Sequence, residues 1–178
     1  WNSASRQTFE EETGLQMTTA QRCFALDAAP CQSQIQLGRA PVQSIVSVQY
    51  DDGDGDDQTF DAANYRLVGP AGVDTYPSLG SIELVSGASW PSTTGAKSLR
   101  IYYLAGYGDA PGAVPEIIRY ALMCYVGAFH KYGEDVTEGR DTHERLPTGA
   151  QMVIREAKYR TLRTLVLMLT SSASMSKL

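Results

Sequence analysis

The sequence predicts an α+β fold: a small helical bundle that carries an antiparallel β-rich insertion and ends in an extended C-terminal arm. From residue 22 to residue 107, apolar and polar side chains mostly alternate, which is typical of half-buried strands. Residues 116–132 instead repeat apolar side chains at spacings of three and four, which is typical of a helix. After residue 163 the pattern has no cap and no clear packing partner, which favours an arm.

These patterns divide the chain into four segments. Residues 1–21 form the N-terminal helix segment of the helical core, and 22–107 form the β-rich insertion. Residues 108–163 complete the helical core, and 164–178 form the arm. A chain of 178 residues with 43% hydrophobic content is long and apolar enough for one domain with a core, or one domain with an appendage.

The chain opens on a helical pattern. Residues 3–13 read as the end of a helix, and Gly14 is its expected left-handed stop. This helix has too little apolar surface to be stable alone. We therefore expect it to lean on sequence that precedes Trp1 or on another chain.

Seven strands follow. The central one, Val42–Tyr50, alternates with Val42, Val46 and Val48 on one face and Ile45 on the other. Residues 44–60 then form a hairpin around the acidic turn 51–57. The other predicted strands are Phe24–Leu26, Ile35–Leu37, Gln58–Phe60, Tyr65–Val68, Ser81–Val85 and Leu99–Leu104.

The main helix begins at Val114-Pro115-Glu116. Proline fits the first helical position, and the glutamate complements the positive end of the helix dipole. Two apolar stripes follow, and a helix with both must be covered on more than one side, by its own domain and by a neighbouring subunit. The predicted subunit-interface residues are Ile117, Ala121, Cys124, Tyr125, Ala128 and Tyr132.

A second helix is predicted over about Thr148–Leu162, with Met152, Val153, Ala157 and Leu162 apolar. Residues 1–150 carry 10 basic and 19 acidic side chains, whereas 151–178 carry five basic and one acidic. An acidic body with a basic tail indicates self-assembly or docking to an acidic partner, and argues against a body that binds nucleic acid. The predicted partner-binding residues are Arg155, Lys158, Arg160, Arg163, Leu165, Val166, Leu167, Met168 and Leu169.

Two loops resemble ligand-binding motifs and fail the detailed comparison. An EF-hand needs glycine at its sixth position and glutamate at its twelfth. Counting from Asp52, those positions hold Asp57 and Ala63. The glycines at 106–112 follow a strand and precede a helix, but no lysine follows them and Pro115 lacks the N–H that a phosphate would use. We read both as structural turns.

No catalytic constellation is evident. His130 and His143 lack metal-like spacing, and no Gly-x-Ser-x-Gly elbow occurs. The three cysteines argue against a disulfide framework and fit a reducing compartment. No apolar run reaches membrane-spanning length. The sequence therefore predicts a protein that is not an enzyme, with no cofactor, no metal and no membrane partner.

Trp90-Pro91 leaves two interpretations open. The indole is either a packing anchor that folds its loop onto the sheet or a binding aromatic. In the second case Trp90, Tyr65 and Tyr76 form a stacking platform. The alternative function is then a monomeric, β-rich binding module for carbohydrate or another small ligand.

The order of several short motifs resembles a known family. These are Arg39-Ala40-Pro41-Val42, Tyr65-Arg66, Ser89-Trp90-Pro91, residues 99–109 with Gly106-Tyr107-Gly108-Asp109, and Val114-Pro115-Glu116 with its helix. Together they resemble the head–tail connector (adaptor) proteins of tailed double-stranded DNA bacteriophages and related gene-transfer particles. The resemblance spans about residues 9–160.

The resemblance implies a virion structural protein in a homo-oligomeric ring, typically of twelve copies, beneath the portal. Such a ring joins the portal to a tail or stopper protein, and DNA passes through its channel without specific binding. The expected location is the virion neck, with assembly in the host cytoplasm. This chain departs from the family pattern by lacking helical sequence ahead of residue 3 and by continuing further after Arg160.

Overall fold

The computed structural model describes residues 2–52, 57–69, 79–93, 95–110, 112–132, 147 and 149–156. It confirms the α+β class with antiparallel sheets. The helices are α1 (Asn2–Thr13), α2 (Glu116–Tyr132) and α3, which is described over 149–156. The strands are β1 (Ala20–Leu26), β2 (Gln34–Gln36), β3 (Val42–Asp51), β4 (Asp57–Phe60), β5 (Tyr65–Val68), β6 (Ser81–Leu84) and β7 (Leu99–Ala105), with a short 3-10 turn at Ala62–Asn64.

The strands form two antiparallel sheets. One has the order β1-β7-β3-β4 and the other has the order β2-β6-β5. The predicted hairpin is confirmed by the pairing of β3 with β4, from Val48 opposite Phe60 to Asp51 opposite Asp57. In β7 buried and half-buried residues alternate strictly, because one face packs on the core and the other does not.

The alternation predicted for β3 is wrong in its first half. Its register against β7 shifts between Val42 and Ser44 and again between Ile45 and Ser47. Each shift is a bulge, which adds one unpaired residue and reverses the faces that follow it. Val46 is consequently 50% exposed, while Ile45 packs against the sheet core.

Two hydrophobic cores lie in the described residues. The sheet core contains residues of both sheets, among them Ile35, Val48, Ile82, Leu99 and Ile101. The helical core brings α1, α2 and α3 together, through Phe9, Leu15, Met17, Ile118, Ala121, Tyr125, Ala128, Ala150, Val153 and Ile154. The weak apolar face of α1 is thus covered by helices of its own chain.

The helix boundaries differ slightly from the prediction. Helix α2 begins at Glu116, one residue after the predicted proline, and the carbonyl of Pro115 accepts hydrogen bonds from Ile118 N and Arg119 N at 3.0 Å each. In α3 the buried residues are Ala150, Val153 and Ile154. Met152, one of the apolar residues of the predicted second helix, is 57% exposed.

The helices and the strands meet at a compact set of bonds, which we call the joint (residues 10, 14–17, 39–41 and 106). Gly14 ends α1 with a φ of 72°, as predicted from its left-handed role. Gln16 N then donates to Ala40 O at 2.7 Å, and Ala40 N donates to Gly14 O at 3.1 Å. The Arg39 guanidinium donates to the Glu10 carbonyl near the C-terminus of α1, where a cation is favourable.

Side chains complete the joint. Glu10 is buried, and its carboxylate accepts from Met17 N at 2.9 Å. The amide oxygen of Gln16 accepts from Arg22 at 2.6 Å. Gly106 N donates to Pro41 O at 2.9 Å. Burying any of these polar groups without a hydrogen-bond partner would cost free energy. Separating the helical core from the sheet would break several of these bonds, so they stabilise the contact between the two.

Candidate interaction surfaces

The described residues contain no group of three or more His, Cys, Asp or Glu side chains that could hold a metal ion. Within the same residues, no helix is long and apolar enough to cross a membrane. All three cysteines are free. The glycine loop after β7 uses its own polar groups, since Gly106 O accepts from the Gln43 side chain at 2.7 Å and Asp109 accepts from Thr19 N at 3.2 Å. These contacts favour a structural turn over a phosphate site.

Helix α2 exposes an apolar strip that we call the α2 flank. It comprises Ile117, Tyr120 and Met123, which are 44%, 51% and 71% exposed. Their spacing of three residues places them on one side of the helix, next to its buried face. A hydrogen bond with the Cys124 thiol raises the pKa of Tyr120. Exposed apolar side chains grouped in this way are typical of an interaction site.

Three of the predicted subunit-interface residues are buried within their own chain. Ala121, Tyr125 and Ala128 are buried in the helical core of their own chain, so their side chains have no free surface for a neighbouring subunit. Tyr125 packs edge-on against Phe9, with ring centroids 5.7 Å apart, and its hydroxyl bonds Glu12 at 3.2 Å.

The remaining interface residues have different outcomes. Ile117 is exposed, and Cys124 is half-buried against the helical core. The side chain of Tyr132 lies outside the described residues. Tyr120 and Met123, which are exposed on the same side of the helix as Ile117, were not among the predicted interface residues.

The four-stranded sheet presents a second uncovered surface, the outer sheet face. Across β1, β7 and β3, Cys23 lies opposite Tyr102, and Tyr102 lies opposite Ser47. One step along, Gln21, Leu104 and Ser44 form the next row. Cys23, Gln21 and Ser44 are exposed, and Tyr102 and Leu104 are half-buried.

Charge on the outer sheet face is balanced within the chain. Arg100 of β7 lies on this face and forms an ion pair with Asp57 of β4, across the intervening strand β3. The adjacent bulge adds the exposed Val46. Apart from the Arg100–Asp57 pair, the rows named here carry uncharged side chains, and they include Tyr102, a residue type that is enriched at protein interfaces.

The predicted partner-binding residues fall almost wholly outside the described residues. Arg155 lies on α3 and is exposed, as a partner-binding cation requires. Nothing in the structure tests its role. The residues outside the described part are Lys158, Arg160, Arg163, Leu165, Val166, Leu167, Met168 and Leu169.

A groove of about 530 Å³ lies between the loops 28–33 and 88–93. Trp90 forms part of its wall, and its Nε1–H donates to Gln32 O at 2.8 Å. The indole also packs against Phe60, with ring centroids 5.8 Å apart, and Phe60 stacks on Tyr65 at 5.9 Å. Burial and the nearby Asp61 raise the pKa of Tyr65.

These contacts make Trp90 a packing anchor for its loop. The hydrogen bond satisfies its one polar group, and the sheet core covers part of the ring. Phe60 stacks on Tyr65, so one face of that predicted platform ring is covered within the chain. Tyr76 lies outside the described residues.

Comparisons with known proteins find similarity in structure. No family model matches the sequence, and no curated protein matches it. A chain from the virion of the native gene transfer agent particle shares 24% identity, with a TM-score of 0.68 over 90% of this chain and 74% of that one. A chain from the neck of the native particle, computed with C12 symmetry, shares 23% identity, with a TM-score of 0.69 over 90% of this chain and 79% of that one.

A third chain comes from the neck of the empty gene transfer agent particle, computed with C6 symmetry. It shares 23% identity, with a TM-score of 0.67 over 90% of this chain and 75% of that one. At this level of identity the likeness shows a common fold. It covers both the helical core and the sheets.

Proposed function

We propose that this protein is a structural head–tail adaptor of a tailed double-stranded DNA phage or a gene-transfer particle. It forms a ring, of twelve copies, under the portal in the virion neck, after assembly from subunits in the host cytoplasm. The ring joins the capsid to a tail or stopper protein and continues the DNA channel. The role is structural, with no chemical reaction.

One observation carries the proposal. Nine-tenths of the chain shares its fold with chains of particles described as virion or neck, two of them computed with C12 or C6 symmetry. Two exposed surfaces of low charge add to it, since a ring subunit is completed by its neighbours. The acidic composition of residues 1–150 suits a channel that DNA passes without adhering.

The basic end of the chain supplies the contact to the portal in this proposal. Exposed Arg155 on α3 begins a run of four basic residues that ends at Arg163, and the apolar residues 165–169 follow it. Burying one such apolar side chain is worth roughly 1.5–3 kcal/mol. A ring repeats that gain at every subunit, so a short segment suffices for firm docking.

The proposal is tested by mixing the purified chain with the portal protein encoded in the same genome. Negative-stain microscopy and sedimentation are expected to show a ring of this chain bound to the portal. A variant truncated after residue 163 is expected to fold, by circular dichroism, and to lose portal binding. A chain that stays monomeric and does not bind the portal would overturn the proposal.

The groove beside Trp90 favours a second candidate, a monomeric binding module for carbohydrate or another small ligand. Its volume of about 530 Å³ is within the range of ligand pockets. Titration with a panel of oligosaccharides, followed by the fluorescence of Trp90, tests this candidate. Saturable binding by a monomer would favour it over the adaptor, and an unchanged spectrum would remove it.

A further inference from the structure

A cyclic ring of more than two subunits imposes a rule on its interfaces. Each subunit must offer two unlike surfaces, one to the preceding neighbour and one to the next, because the contact is heterologous. Among the described residues, two uncovered surfaces of low charge stand out: the α2 flank and the outer sheet face. They lie on different elements, which belong to different cores.

Charge favours a contact between these two surfaces. Copies of a chain whose residues 1–150 are strongly acidic repel one another over most of their surfaces. On the outer sheet face Arg100 is already paired with Asp57. Beside the α2 flank Arg119 is paired with Glu116 at 3.2 Å. Docking one surface on the other therefore joins two copies without placing an unpaired charge in the contact.

The dimensions are compatible. At the rows of Tyr102 and Leu104, the three strands β1, β7 and β3, spaced by about 4.8 Å, form a face roughly 10–15 Å wide, which accommodates a single helix of about 10 Å diameter. A helix laid on a sheet is one of the standard ways to bury an apolar strip. On the sheet, Tyr102 and Val46 supply the apolar surface that Tyr120 and Met123 would cover.

We propose that the α2 flank of one subunit packs on the outer sheet face of the next, and that this contact closes the ring. The inference rests on the proposed function, and it names the surfaces by which copies of this chain recognise one another. The contact is directional, so it propagates from subunit to subunit instead of stopping at a dimer.

Native Cys23 on the outer sheet face makes a direct test possible. In full-length chain carrying Cys31→Ser and Cys124→Ser, Met123→Cys adds one thiol on the α2 flank. A short bismaleimide applied to assembled rings is expected to join Met123→Cys of one subunit to Cys23 of its neighbour. Denaturing electrophoresis should then show a ladder of dimers, trimers and larger species.

Three matched variants on the Cys31→Ser, Cys124→Ser background serve as controls. The first control keeps Cys23 as its single thiol. The second carries Met123→Cys together with Cys23→Ser, so its single thiol lies on the α2 flank. Each should stay monomeric on the gel. A chain with Met123→Cys and Val85→Cys, and without Cys23, should give no ladder. Val85 is 41% exposed and lies outside both surfaces, so it measures chance collisions.

The outcomes separate this inference from the proposed function. Rings that are visible by microscopy and bound to portal, but give no ladder, overturn the inference and leave the adaptor role standing. Dimers from Met123→Cys alone also overturn it, because they indicate a symmetric contact. Failure to form rings in the presence of portal overturns both.

Discussion

Gly106 gives the sharpest test of the joint. Its φ is 137°, a backbone conformation that side chains rarely adopt. A Cβ at this position would lie 2.5 Å from Thr18 O, 2.6 Å from Thr18 C and 2.7 Å from Thr19 N. All three are main-chain atoms, so no rotamer change relieves the contact. Gly106→Ala must move the chain that crosses from the helical core to β1.

The loss of unfolding free energy expected for Gly106→Ala has two parts. Holding alanine at this φ costs about 1–3 kcal/mol. Displacing packed backbone costs about 1–3 kcal/mol more. A total of about 2–6 kcal/mol is a large share of the 5–15 kcal/mol typical of a folded domain.

Gly87→Ala separates the two parts. Gly87 also has a positive φ, of 87°, but nothing lies within 4 Å of its Cβ position. It should therefore lose only the conformational term, about 1–2 kcal/mol. Urea unfolding measures the free energy of unfolding of both variants, provided that its dependence on urea concentration is the same as in the parent chain. The reasoning is refuted if Gly106→Ala is no less stable than Gly87→Ala.

Three further predictions concern buried polar groups. Glu10→Ala leaves Met17 N–H buried without its acceptor and should lower the free energy of unfolding, measured in urea, by about 1–3 kcal/mol. Glu10→Gln keeps an acceptor and should lower it less. Equal losses would contradict the assigned bond. Tyr125→Phe removes the hydrogen bond to Glu12 and should lower the free energy of unfolding by roughly 0.5–1.5 kcal/mol. Tyr125→Ala also removes the packed ring and should lower it by roughly 3–5 kcal/mol. The reverse order would contradict the packing of this side chain. Burial raises the pKa of Tyr103, so its contribution to stability is complete below about pH 10 and falls as the pH rises beyond it. Tyr103→Phe should show a smaller alkaline loss of unfolding free energy than the parent chain, and parallel pH profiles would contradict this.

Strands were the most predictable part of the fold. Strict alternation located β7, and the acidic turn between two alternating runs located the β3–β4 hairpin. The bulges in β3 were not predictable, because they arise from its register against β7, a strand that lies far from it in the sequence. Val46 was accordingly placed on the wrong face.

Helix α2 shows a different limit. Its periodicity predicted two apolar stripes and an excess of apolar surface, and the structure has both a buried face and an exposed flank. Periodicity does not say which stripe meets the protein's own core. That choice depends on where Phe9 and Ile154 pack, and Tyr125, which was predicted at a subunit interface, is buried in the helical core of its own chain. The hydrogen bond from Arg39 to the Glu10 carbonyl, which is part of the joint, was also not foreseen. It connects residues 29 apart in the sequence, and its acceptor is a main-chain oxygen.

The joint has a consequence for how such a chain diverges during evolution. Its main-chain bonds, from Gln16 to Ala40 and from Ala40 to Gly14, do not use the side chains of Gln16 and Ala40, although Gly14 and Gly106 must stay glycine. The angle between helices and sheets is therefore insensitive to substitutions that merely repack either core. We therefore expect each core to tolerate changes on its own while the placement of the α2 flank relative to the outer sheet face is retained.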